Sequence, residues 1–320
     1  LKAKLIKFLK IVLPLALGVF LISYSYHQFS PEQLEEVKSH FKNANYYYVA
    51  LSLVFALLSH LSRAWRWQYQ LEPLGYKPRY VNSLMAVLVT YLMNLFIPRS
   101  GEISRALVLD KYEQIPFEKA FGTIIAERVA DLLILIVLIG TAFFLQFDTL
   151  YTYLSAKINP TKLLMSLVGL SIIGVVGLLW IFNSTTKLAT KLKTFVLGIK
   201  DGIWSIIHMK KKWAFVGHTI FIWVMYICMF YTCIYTLPQT SGIDLSAVIT
   251  TFVVGSIAIA FTNGGFGTYP FLVAEILLLF QIPETVGTAF GWIVWTSQTV
   301  LVIISGVLAF LFLPIFNKIK

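Results

Sequence analysis

Arg99, Glu102 and Arg105 stand three residues apart in NLFIPRSGEISRAL, residues 94–107, directly after a run from Val81 to Met93 that carries no charge. At that spacing they share one side of a helix. A helix opening just after Pro98 also points its first free N–H groups, and the positive end of its dipole, at whatever anion sits there. Pro98 and Gly101 break the chain, and the Asn94 side chain is placed to satisfy backbone groups freed at the break. The chemistry this set fits is capture of a phosphate-bearing headgroup. The alternative is an ordinary loop whose charges are scattered.

A second charged set, Glu127, Arg128 and Asp131 in AERVAD, lies inside an apolar run. Glu127 and Asp131 are related by i,i+4 and Arg128 and Asp131 by i,i+3, so all three occupy one side of a helix. Each costs roughly 2.5–3.5 kcal/mol at the centre of a span, so such groups face a partner or a wet cavity. Arg128 can join Arg99 and Arg105 in a cationic pocket. Two other readings stay open: a self-neutralising helix end with Arg128 snorkelling to the headgroups, and a metal held by Glu102, Glu127 and Asp131 in a lipid-linked transferase.

A third set is FTNGGFGTYPF, residues 261–271, followed by Glu275 in LVAEILLLF. Gly264, Gly265 and Gly267 permit a turn, and a close ligand approach, that side chains would obstruct. A lone carboxylate in so apolar a stretch is either protonated or paired. Cys228 and Cys233 share one apolar helix as packing residues, and the five histidines are dispersed. There is no P-loop, dinucleotide fingerprint or nucleophile elbow. No cofactor and no resident metal are expected, and the reading favours a transporter over an enzyme.

The elements that must position these residues follow from composition. Of 320 residues, 58% are hydrophobic and 13% charged, with a mean hydropathy of +0.77. That excludes an ordinary soluble domain, which is about 25% charged. Apolar runs at Leu5–Phe29, Tyr46–Trp67, Ala120–Phe147, Leu163–Phe182, Trp213–Leu237 and Thr285–Pro314 are long enough for spans of about 20 residues. Lipid leaves no free N–H or C=O unpaid, so the spans are helical. Two further runs, Val81–Ile97 and Leu245–Phe280, are interrupted and read as re-entrant hairpins. The predicted fold is an all-α integral membrane protein, a polytopic bundle of about six full spans plus two re-entrant helical hairpins entering from opposite faces, forming a single domain over residues 1–320.

The net charge of +11 concerns the membrane rather than nucleic acid. By segment, 21 of the 26 basic residues fall on one side, which places both termini in the cytoplasm of a multi-pass protein of the cytoplasmic (inner) membrane. Paired breaks at corresponding positions of two halves are a pointer to a transport site near mid-membrane. Pro31–Asn43 reads as an amphipathic helix on the outer surface. Lys187–Lys212 reads as a basic amphipathic stretch on anionic inner-leaflet lipids, or as a solvated linker. The N-terminus begins like a signal peptide but lacks a small-residue cleavage site, so it is taken as the first span.

Three pieces, NLFIPRSGEISRALVL, ERVADLL and NGGFGTYPFLVAEILLL, occur in this order. With them the chain resembles the lysylphosphatidylglycerol synthase transmembrane-domain, or flippase-like, family, as a member standing without the aminoacyl-transferase domain. The resemblance covers essentially the whole chain. It implies movement of a lipid between leaflets, with Asn94, Pro98, Arg99, Gly101, Glu102, Arg105, Glu127, Arg128, Asp131, Gly264, Gly265, Gly267 and Glu275 as candidate binding residues. The expected substrate is an anionic or zwitterionic lipid, aminoacylated or polyprenyl-linked forms included. Expected partners are that lipid, anionic inner-leaflet lipids, a separate soluble synthase and a second copy of the chain, with no nucleic acid. The alternatives are the transferase and a membrane subunit that recruits a synthase through Lys187–Lys212.

Overall fold

The computed structural model describes residues 2–97, 100–148, 151–152, 160–186, 188–190, 192–193, 197, 204, 206–262 and 264–317. Pro98, Arg99, nearly half of Lys187–Lys212 and the tail lysines Lys318 and Lys320 lie outside the described residues. The described chain is helical, in the order α1 (Lys2–Gln28), α2 (Pro31–Asn43), α3 (Tyr46–Leu71), α4 (Tyr80–Phe96), α5 (Ser100–Glu113), α6 (Phe117–Leu145), α7 (Pro160–Asn183), α8 (Lys212–Cys233), α9 (Leu245–Phe261), α10 (Thr268–Leu279) and α11 (Glu284–Phe316). Four stretches among the described residues are long and apolar enough to cross a membrane: Tyr46–Leu74, Phe117–Leu145, Lys212–Thr236 and Glu284–Phe316. A fifth candidate is the pair Val12–Gln28 and Pro31–Asn43, bent by 115°. The protein is an all-α, multi-pass membrane bundle.

The chain divides into two compact units, Leu1–Ile124 with Lys210–Lys320, and Ile125–Met209. In the second unit, the far part of α6 and α7 expose Val137, Phe144, Met165 and Ile173, as apolar helices facing lipid do.

In the first unit α11 acts as a ruler. Its 33 residues make a rod of about 50 Å, longer than the roughly 40–45 Å of a bilayer with its headgroups. The α9–α10 hairpin lies along its first half. A Cβ on Gly287 would meet the Ala274 Cα at 3.0 Å, and one on Gly291 the Pro270 Cα at 2.8 Å. Glycines four apart thus let the α10 and α11 backbones touch. Nearer the middle, the Trp295 indole donates to the Gly264 carbonyl at 2.7 Å.

The α4–α5 hairpin lies along the other half of α11. Gly306 packs on Leu92 of α4, Met85 and Val89 cluster with Ala309 and Leu313, and the Asn317 amide donates to the Asn82 oxygen at 2.9 Å. The two hairpins therefore start at opposite ends of α11 and point toward one another. Their tips meet, because a Cβ on Gly264 would lie 2.8 Å from the Leu95 Cδ2.

The boundaries shift from the sequence expectation in ways that matter. The helix α5 starts at Ser100, just after Pro98 as the sequence reads, whereas α3 continues past Trp67 to Leu71. Arg63 and Arg66 therefore stand well inside α3 rather than at its very end, and both are buried in the bundle.

Candidate functional site

About three turns before its end, α3 changes from apolar to polar along one face. Ser59, His60, Ser62, Arg63, Arg66 and Gln70 are all buried, with Arg66 fully so and Arg63 only 4% exposed. The spacing 59, 62/63, 66, 70 is helical, so these side chains form one stripe. Helix α8 answers it. The Arg66 Nη1 donates to the Thr219 hydroxyl at 2.9 Å with its guanidinium carbon 5.3 Å from the Phe215 ring centre. Arg63 Nη2 donates to the Tyr226 hydroxyl at 3.3 Å, and the Ser62 hydroxyl lies 2.8 Å from His218 Nδ1.

Helix α4 joins the same network. The Tyr91 and Tyr226 hydroxyls are 3.1 Å apart, and the His60 and Tyr91 rings are 4.5 Å apart. From α5, Arg105 is 1% exposed and lies 3.8 Å over the ring of Trp67, whose indole donates to the Thr123 hydroxyl at 2.8 Å. A guanidinium stacked on an indole face is a strong cation–π pair when desolvated.

Three arginines are thus carried into the bundle interior on α3 and α5. They are held by hydroxyls and a ring of α8 and by the Trp67 ring of α3, and guanidinium groups are the donors suited to phosphate oxygens.

At the first tip, Asn94 performs the expected task. Its side-chain oxygen accepts from the Gly101 N–H at 2.8 Å, and the Ser100 hydroxyl donates to the Ile97 carbonyl at 2.7 Å and reaches the Met93 carbonyl at 2.9 Å. Gly101 is required because a Cβ there would meet the Asn94 Cγ at 2.8 Å. Glu102 is half-buried one residue further on. Asn94→Ala removes a cap-like acceptor, at a cost of about 0.5–2 kcal/mol. Amide hydrogen exchange in the first turn of α5 is expected to speed up several-fold, with the rest of α5 unchanged.

At the second tip Gly264, Gly265 and Gly267 have φ of 62°, 78° and 66°, so a turn built on glycine is what the backbone needs. Glu275 is not brought to either tip. It lies about two turns along α10 with its side chain exposed on the surface of the bundle.

In the second unit, Glu127 and Asp131 are buried, and Arg128 lies 3.8 Å from Asp131. Among the described residues no three His, Cys, Asp or Glu side chains come together.

The tips, the glycine turn and the buried arginines lie within the stretch that the sequence model for the lysylphosphatidylglycerol synthase TM region matches, residues 11–312. The chain belongs to that family. A UPF0104 membrane protein of Methanocaldococcus jannaschii is 35% identical to it over 92 residues, a match covering 28% of this chain. The match spans 27% of that relative's own length. No solved structure matches the chain.

Within this member of the lysylphosphatidylglycerol synthase TM-region family, the structure brings together candidate site residues that the three motif pieces do not contain. Arg63, Arg66, His60, Tyr91, His218 and Tyr226 were missed as site residues. The signal for the α3 set was in the sequence, as polar residues at helical spacing inside LLSHLSRAWRWQYQ.

Proposed function

We propose that this protein is a lipid transporter, a flippase or scramblase, which moves the headgroup of an anionic or zwitterionic membrane lipid through the bundle interior while its tails stay in the bilayer. The observation carrying this reading is the burial of Arg63, Arg66 and Arg105 between α3, α4, α5 and α8. Burying three cations in a membrane bundle is costly, and such groups mark substrate paths by default. Two re-entrant hairpins with touching tips supply the second element, since unwound backbone at membrane depth is tolerated where it is covered by protein or lines a cavity. Membership in a family named for a lipid synthase's membrane region supports a lipid as the cargo. The one-sided basic residues support a cytoplasmic position for both termini. The α4–α5 hairpin then enters from the cytoplasmic side and the α9–α10 hairpin from the other.

The test is leaflet accessibility in proteoliposomes containing fluorescent lipids that share their tails and differ in headgroup, comparing the intact protein with Arg105→Gln. Transport that prefers phosphate-bearing headgroups and falls at least about tenfold in the variant, the loss of one charge-assisted contact, supports the reading. Equal movement of neutral and anionic reporters by both proteins overturns the arginines as its basis. A separate soluble synthase supplying the lipid belongs to the same proposal, and co-purification tests it.

A further inference from the structure

The sequence PEQLEEVKSHFKN of α2 sets Leu34, Val37 and Phe41 on one face and Glu32, Glu35, Glu36 and Lys38 away from it. A capping box fixes where this helix starts: the Gln33 N–H donates to the Ser30 hydroxyl at 3.3 Å, and the Ser30 N–H donates to the Gln33 side chain at 2.9 Å. The 115° elbow with α1 is thus locked by local bonds. Helix α2 rests on α11, yet none of its residues is buried. Its apolar face instead roofs a cleft of about 290 Å³, walled by Phe29 in the bend after α1, Phe271 of α10 and Trp292 of α11 and ending at Gly267 of the hairpin tip.

We propose that this cleft holds one acyl chain of a phospholipid. Its walls are almost entirely hydrocarbon and aromatic, so water, which needs two to four polar partners, gains little there. An amphipathic helix with this charge pattern settles at the headgroup boundary with its apolar face about 5–10 Å into the acyl region. The space beneath it is therefore at the depth where acyl chains begin. The adjoining face of the bundle is lipid-facing, since Leu13, Leu17 and Phe20 of α1 are exposed. A slot between aromatic walls takes an unbranched chain more readily than a methyl-branched isoprenoid. The site is separate from the buried arginines, and occupying it does not require transport.

The experiment uses the full chain in nanodiscs containing phosphatidylglycerol with a photoreactive diazirine near the end of one acyl chain, and crosslinks are mapped by peptide mass spectrometry. Labelling is expected to concentrate on peptides covering residues 29–43 and 266–292. Val37→Trp fills the cleft from its roof and Thr288→Phe from α11. Each excluded methylene is worth a factor of about four, so either variant should cut cleft labelling by more than about tenfold while labelling of exposed α8 residues stays constant. Labelling spread evenly over the lipid-facing surface, or unchanged in both variants, overturns the proposal. Displacement of the probe by a polyprenyl phosphate at lower concentration than by unlabelled phosphatidylglycerol also overturns it, because the occupant is then an isoprenoid. Loss of transport in Arg105→Gln with cleft labelling intact shows the two sites to be independent.

Discussion

Arg66→Met is expected to slow lipid transport by about 10- to 100-fold, the equivalent of losing one charge-assisted hydrogen bond of about 1.5–3 kcal/mol. Arg66 is fully buried, donates to Thr219 and lies along Phe215. Methionine keeps the volume and the apolar contact with that ring and removes only the charge and its fork of donors. Arg66→Lys separates the two properties, since it restores charge without the planar fork that spans hydroxyl and ring. If the headgroup needs charge alone, the lysine variant keeps most of the rate; if it needs bidentate contact, both variants are slow. Transport equal to the intact protein in both, with melting and monodispersity preserved, would remove Arg66 from the path. The readout is the initial rate of headgroup exposure in proteoliposomes at matched protein density.

How legible this site was depended on the kind of signal. The breaks were plain, because proline and clustered glycines have few uses in an apolar run. The hairpins Tyr80–Phe96 with Ser100–Glu113 and Leu245–Phe261 with Thr268–Leu279 followed from them. Asn94 could be assigned from its type and place alone. Arg63 and Arg66 were counted toward topology because they stand where an ordinary span ends, and a basic residue at a span end normally serves orientation. What decides otherwise is the partner, Thr219 and Tyr226 on a helix more than 150 residues later in the chain, and such pairing is invisible to local periodicity. Glu275 shows the same limit of a local pattern. Its surroundings in the chain are apolar, but the helix turns its side chain away from the core, and lone-carboxylate arguments do not know which face is buried.

Gly267→Ala is expected to be the most damaging single-methyl change in the first unit. A Cβ at Gly267 would fall on the Gly18 carbonyl, with the Gly18 carbonyl carbon at 2.8 Å and Cα at 2.9 Å. These are backbone atoms of α1, so no side chain can swing aside. The residue also has a φ of 66°, which costs a residue with a Cβ about 1–2 kcal/mol, and overpacking adds about 1–3 kcal/mol. Together these lower the melting temperature by roughly 5–20 °C at about 2–4 °C per kcal/mol. Gly75→Ala is the control that splits the sum. Gly75 has a φ of 88° but nothing within 4 Å of its would-be Cβ, so only the backbone part applies and the shift should be a few degrees. The difference between the two variants measures how tightly α1 is pressed against the hairpin tip. If Gly267→Ala melts no lower than Gly75→Ala, α1 yields at that crossing and the tip is not held by it. Transport measured on the same pair then has a physical reading: a rate that falls with the contact, beyond what lost stability explains, makes the α1 crossing at Gly18 a support that fixes the hairpin tip in its working position.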